Sequence, residues 1–322
     1  MPLLGSLASG GFGKGGGGGG GGGGGSGLYE FITATFTTGG NTGPDGPSLT
    51  SARSGLIVTS APDTWKNNTA FFNTSNGIQL WTVPASGIYR IEASGARGAN
   101  CTSTGEAGGL GARMRGEFSL TSGQLIYILV GQVGQARSHT AGGGGGTFVA
   151  TGSSIGSATP LIVAGGGGGG GNSGGNGRPG DTGQNGNPAQ GYGSTSGIAG
   201  TSGNGGSGSN GGWGESGAGF LSDSTSVKSV WSVTRNSNSI LSFRNGGRGA
   251  APDASTDGSC VSAGGGFGGA GGGGCNGGGG GGGYSGGAGG GGGGGSFNSG
   301  ASQTNSSGVN NGPGQVVITR LI

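Results

Sequence analysis

Residues 264–297 read GGGFGGAGGGGCNGGGGGGGYSGGAGGGGGGGSF. The same idiom returns at 142–146, 165–171 and 203–212. A glycine run loses the most backbone freedom on ordering, so one reading is a flexible linker. The other uses the missing side chain. A polyproline-II-type chain has three residues per turn and no internal hydrogen bonds. Without Cβ atoms, several such chains can lie side by side and satisfy their backbone groups laterally. One run cannot do this, but several runs joined by turns can. A linker has no use for Phe267, Cys275 or Tyr284, each alone inside a run. They read as pegs that fix register and pack the flank of a bundle, which favours the ordered reading.

Composition bounds the rest. Of 322 residues 99 are glycine and only 8% are charged. Glycines at 174, 177, 180, 183 and 186 keep a triplet period that breaks at Ala189. That is at most one local polyproline-II leg, not a collagen trimer. The net charge is +3 with no Lys/Arg run, so nothing points to nucleic acid. No apolar stretch is long enough to span a membrane. The start, MPLLGSLASGGFGK, lacks a basic n-region and a proper apolar core, so no signal peptide is expected. The Asn/Ser/Thr/Gly-rich body nonetheless has an extracellular character. The pairing suggests release by lysis, as for a virus particle.

Residues 1–27 form an arm. Leu3, Leu4, Leu7 and Phe12 are a candidate attachment segment on a tether of eleven consecutive glycines. A frayed terminus is the other reading. From Leu28 the period becomes that of strands. Short apolar or alternating segments at 29–37, 56–58, 71–73, 78–83, 87–93, 117–120, 125–131, 147–150, 160–164 and 315–320 are separated by turn signals. Strands this short and frequent predict an all-β antiparallel sandwich, and no segment carries a helical period. The last strand is useless alone, so it is expected to return to the same sheet. The expected organisation is a sandwich of residues 28–164 plus 313–322, with a glycine-rich insertion at 165–312.

Within the insertion, 227–243 is an apolar island. Val230, Trp231, Val233, Ile240, Leu241 and Phe243 flank the turn signal at 235–238, which reads as a hairpin. Either it is a contact tip, with Val230, Trp231, Ile240 and Phe243 as anchors, or it is a lid on the bundle. Tyr192 and Trp213 are further contact candidates. Cys260 and Cys275 flank GGGFGGAGGGG, and a disulfide there is worth roughly 3 kcal/mol. Two free thiols are the alternative, and Cys101 is the odd cysteine. Three cysteines and a lone His139 do not make a zinc site. Lys14 is followed by glycine, not the Ser or Thr of a P-loop. Sequons at Asn67, Asn73, Asn100 and Asn305 are what this composition produces by chance. With one histidine and scattered carboxylates, neither an enzyme nor a cofactor is expected.

In order, GNTGPDGPS (40–48), GIQLWTVPA (77–85), Tyr89, GARGA (95–99), LIYILVGQ (125–132), AGGGGGTFV (141–149), PLIVAGGGG (160–168), Trp213 and GGFGGAGGGGCNGGGGGGGYSGG (265–287) form a collinear series. The series resembles the glycine-rich extracellular domain of the anaplastic lymphoma kinase and leukocyte tyrosine kinase receptors. The resemblance implies a tumour-necrosis-factor-like, jelly-roll-like sandwich carrying an inserted bundle of polyglycine-II helices. It also fits a Cys260–Cys275 disulfide and raises the expectation of a homotrimer. The receptors' kinase domain and cysteine-rich module are missing, so their ligand-binding role does not carry over. The opening residues resemble glycine-rich structural proteins of marine bacteriophages. The expectation is therefore a virion protein of a bacteriophage, a tail-fibre or adhesin component. Its expected partners are other virion proteins through residues 1–27 and a host-surface glycan or protein. A capsid decoration or head-fibre protein is the alternative. An ice-binding or secreted ligand-binding protein is the alternative of another class.

Overall fold

The computed structural model describes residues 27–59, 62–172, 175–190, 197–208, 214–230, 233–236, 240–252 and 262–321. The chain opens with β1 (Thr33–Phe36), helix α1 (Leu49–Gly55), β2 (Ile57–Thr59) and a 3-10 turn at Thr64–Asn67. Then come β3 (Phe72–Ser75), β4 (Ile78–Thr82), β5 (Gly87–Ser94), β6 (Gly111–Leu120), β7 (Leu125–Leu129), β8 (Thr147–Thr151) and β9 (Thr159–Ala164). The glycine-rich block holds β10 (Val227–Val230) and β11 (Val233–Asn236). Finally β12 (Phe297–Asn298), β13 (Ala301–Asn310) and β14 (Gln315–Leu321) close the chain.

Two six-stranded antiparallel sheets result, in the orders β13-β6-β5-β14-β1-β2 and β12-β9-β8-β7-β4-β3. Alternation decides which side chains enter the space between them. Phe36, Tyr89, Ile91, Val316 and Ile318 enter from the first sheet. Phe72, Trp81, Ile126, Ile128 and Ile162 meet them from the second. The run 125–129 is apolar throughout because the second sheet is covered on both faces. Ile78, Tyr127, Leu129, Phe148 and Val163 point away from the sandwich core. They pack on Phe220, Phe243 and Phe267 of the glycine-rich block.

Strand β14 lies between β5 and β1, so the C-terminal segment does return to the sheet. The expected insertion limit needs correction. Strand β12 pairs with β9 and β13 pairs with β6, so the sandwich resumes at Phe297, not at 313. Sequence ASQTNSSGVN carries no apolar alternation because β13 is an edge strand, exposed along most of its length. Helix α1 was likewise invisible to periodicity, being seven residues long. The Ser48 side chain caps it by accepting from the Ser51 backbone N–H.

Among the described residues, the glycine runs at 142–146 and 165–171 are axial continuations of β8 and β9. Strand β5 runs on through 95–100 and comes back through 107–110 into β6. Along this pair, Gly95 donates to Ala112, Gly98 to Gly109 and Cys101 to Glu106, a step of three residues. Between β7 and β8, Gly143 donates to Gly271, Gly144 to Gly167, Gly145 to Gln132 and Gly146 to Gly268. Three consecutive amides thus serve three different neighbours, and the fourth returns to the first. Beyond β9 the pattern repeats: Gly166 donates to Gly282, Gly167 to Ala96, Gly168 to Arg178 and Gly169 to Gly279. Side chains are excluded by contact. A Cβ on Gly167 would lie 1.9 Å from the Gly109 carbonyl oxygen, and one on Gly168 2.0 Å from that of Gly291.

A pair of substitutions tests this packing. Gly168→Ala is expected to destabilise the protein by about 3 kcal/mol or more, the upper range of overpacking. At Gly183 nothing lies within 4 Å of an added Cβ. Gly183→Ala is expected to be neutral or to stabilise by about 0.4–1 kcal/mol through the unfolded chain. Denaturant unfolding of both variants reads the contrast, and equal effects would contradict the close packing.

Candidate functional site

The continuations of β5, β7 and β9 end in loops at the pole farthest from the sandwich. Loops 101–106 and 136–141 meet there with residues 171–172 and 175–176, joined by 274–277 from the glycine-rich block. The loops hold one another through backbone groups. Thr102 N–H donates to Arg137, Ser103 N–H to Ser138 and Asn172 N–H to His139. Buried Thr140 adds its hydroxyl to the Gly277 carbonyl at 2.6 Å. The Asn176 side chain accepts from the Ala107 N–H at 2.8 Å. Thr102, Ser103, Arg137, Ser138 and His139 are exposed, so the pole offers hydroxyls, one guanidinium and one imidazole.

Cys101 is buried beneath this surface as a free thiol. Its Sγ donates to the Ser138 carbonyl at 3.1 Å. Burial raises its pKa, but hydrogen bonds from Thr104 and Ser103 outweigh burial and hold the thiol below its ordinary value. Among the described residues no group of three or more His, Cys, Asp or Glu could hold a metal ion. No helix of the described residues is long and apolar enough to cross a membrane.

The opposite pole is the root of the arm. Leu28 N–H donates to the Pro84 carbonyl at 2.9 Å, in the turn between β4 and β5. Beside it opens a cleft of about 340 Å³ lined by Leu28, Tyr29, Trp65, Asn68 and Phe71. Tyr29 stacks on Trp65 at 4.5 Å and meets Phe71 at 5.0 Å. The Tyr29 hydroxyl donates to the Thr82 carbonyl. Burial pushes its pKa far above the ordinary tyrosine range.

The residues singled out in the sequence are dispersed differently from expectation. Ile240 and Phe243 are 0% exposed, which corrects their assignment as contact anchors. Phe243 stacks on Phe220 at 4.9 Å and meets Phe148 at 5.3 Å, over the second sheet. Ile240 packs with Ala218 and Ala250. The island hairpin also turns earlier than its turn signal. Register Val227↔Asn236 to Val230↔Val233 puts the reversal between 230 and 233, not at 235–238. The side chain of Val230 lies outside the described residues, as do Trp231, Tyr192, Trp213, Leu3, Leu4, Leu7, Phe12 and Cys260. Cys275 is disulfide-bonded. The polar pole was not singled out, although TSTGE (102–106), RSHT (137–140) and CNG (275–277) each break a glycine run with turn residues. No family model matches the chain.

Two measurements follow from these placements. Phe243→Ala should cost about 3–5 kcal/mol in denaturant unfolding, as buried aromatics do; a loss below 1 kcal/mol would contradict its core position. Thiol titration of denatured, unreduced protein should find one thiol, that of Cys101, and a count of three would rule the bridge out.

Proposed function

We propose that the chain is a structural protein of a bacteriophage virion, a tail-fibre or adhesin component that presents its glycine-rich pole to the host surface. One observation carries this reading: the arm root and the loop-bearing pole lie at opposite ends of one continuous body. The strands leave the root, cross the sandwich and run on as glycine chains to the pole. A polyproline-II-type chain rises about 3.1 Å per residue, so the six steps from Gly95 to Cys101 add roughly 19 Å beyond the sheet. In this reading the three-residue hydrogen-bond period is that of polyglycine-II helices, set on a jelly-roll-like sandwich. Attachment through residues 1–27 leaves the pole facing outward. Its hydroxyls, guanidinium and imidazole suit a neutral, hydrogen-bonding surface such as a glycan or a polar protein patch. A capsid decoration or head-fibre protein would use the same polarity.

The double variant Thr102→Lys/His139→Glu tests the pole, because both residues are exposed and their side chains make no hydrogen bond recorded among the described residues. We expect particles carrying it to adsorb at least about tenfold more slowly, a loss of about 1.4 kcal/mol, with unchanged melting temperature. Unchanged adsorption would remove the pole from recognition. Deletion of residues 1–26 should give a folded body that no longer enters particles. Electron microscopy of intact particles separates the tail from the capsid position.

A further inference from the structure

The cleft beside the start of the described chain is lined by aromatic rings that also close this end of the sandwich core. Its floor is Trp65, 4% exposed. The Trp65 indole N–H is shielded from solvent and meets no acceptor among the described residues. A buried donor left unpaired costs free energy. Large apolar side chains are also exposed on neighbouring strands of the first sheet. Leu28 is 49% exposed, Ile32 58%, Ile57 60% and Ile88 42%, four of the seven large apolar side chains left exposed among the described residues. They belong to one region. Ile32 donates to Thr59 of β2 and accepts from Arg320 of β14, and the next residue, Leu321, pairs with Ile88.

We infer that this cleft and its apolar rim are the docking site of the chain's own N-terminal segment, residues 3–12. Three features identify the occupant. First, Leu28, Tyr29 and Glu30 line the cleft, so the chain outside the described body starts at its edge. Second, the segment carries Leu3, Leu4, Leu7 and Phe12, with no charge between 3 and 12, which matches an apolar rim around an aromatic floor. Third, the tether has the right length. Residues 13–26 are almost all glycine. By composition, a Gly-rich segment of fourteen residues corresponds to a root-mean-square span of roughly 20 Å, which places residues 3–12 at an effective concentration in the millimolar range about the cleft. A segment from another copy competes at its bulk concentration, which is far lower.

Docking stores the attachment segment on the body until an assembly partner with higher affinity withdraws it. The inference rests on the reading of residues 1–27 as the attachment arm only for this purpose. The docking is measured on the isolated protein, whereas attachment is measured by entry into particles, so the two fail separately.

Hydrogen–deuterium exchange of the full chain, of Leu3→Ser/Leu4→Ser/Leu7→Ser/Phe12→Ser and of a protein lacking residues 1–26 tests it. Amides of 28–32 and 64–72 should exchange about tenfold faster in both variants than in the full chain. The difference should not change when the protein is diluted. The quadruple variant keeps the whole chain, and an unchanged melting temperature shows that it is folded. A peptide of residues 1–13 added to the truncated protein should restore the protection. Equal exchange in all three proteins overturns the inference. So does protection lost on dilution, which assigns the cleft to a neighbour's arm, and so does peptide protection that maps elsewhere.

Discussion

Everything distinctive in this protein depends on hydrogen bonds between backbones that no side chain holds apart. In a sandwich, two sheets stand about 10 Å apart because side chains fill the gap, and each strand bonds only to neighbours in its own layer. At Gly95, Gly111, Gly131 and Gly165 the filling ends. The layers can then close on each other. Ala96, continuing a strand of the first sheet, donates to Gly145, which leads into a strand of the second. Gly167 donates to Ala96, and Ala112 donates to Gly165. The two sheets merge into a three-dimensional lattice of backbones. Ordering so many glycines is entropically costly, and each chain recovers bonds in three directions rather than two. Carbonyl oxygens sit where a second substituent on Cα would be, so only hydrogen fits there.

A lattice without side chains has little apolar surface of its own, and its attachment to the sandwich falls to a few large rings. Phe220, Phe243 and Phe267 cover the outer face of the second sheet, and Tyr284 stacks on Phe297 at 4.9 Å. These rings punctuate the glycine block at long intervals and act as anchors for the chains between them. The loop before α1 adds a polar tie. Gly43 and Pro44 accept from Phe267 and Gly249, and the Asp45 carboxylate pairs with Arg248 at 2.8 Å. The ion pair is exposed, so its contribution is small. The backbone bonds fix the loop against the lattice.

Strand content and the return of the last strand were legible because burial leaves a period of two, and the pegs because a ring inside a glycine run is costly without a partner. What escaped had no burial contrast to leave. Strand β13 is mostly polar and exposed along most of its length, and α1 is too short for a helical period. The continuity of strands into glycine chains escaped for another reason. Periodicity reports which side chains face inward, and glycine has none to report. The polar pole escaped because its residues are ordinary turn residues, and only topology gathers loops separated by up to 176 positions, from 101 to 277. The island misled through its composition: Ile240 and Phe243 are apolar because they are covered, and an aromatic near a turn is as readily a plug as an anchor.

The same close packing governs where the protein can change. At glycines such as Gly167 and Gly168 an added methyl group would lie about 2 Å from a carbonyl oxygen, so substitution at those positions is opposed. At the loops the constraint vanishes. Thr102, Arg137 and His139 join neighbouring loops through backbone groups, and their exposed side chains are not what holds the pole together. A body that is nearly invariant by packing therefore ends in a surface that is free by packing. That division separates positions that packing fixes from positions that can change without refolding their support. It also explains why chemistry is sparse elsewhere: a chain spending 99 of 322 positions on glycine leaves its functional groups to its turns and its termini.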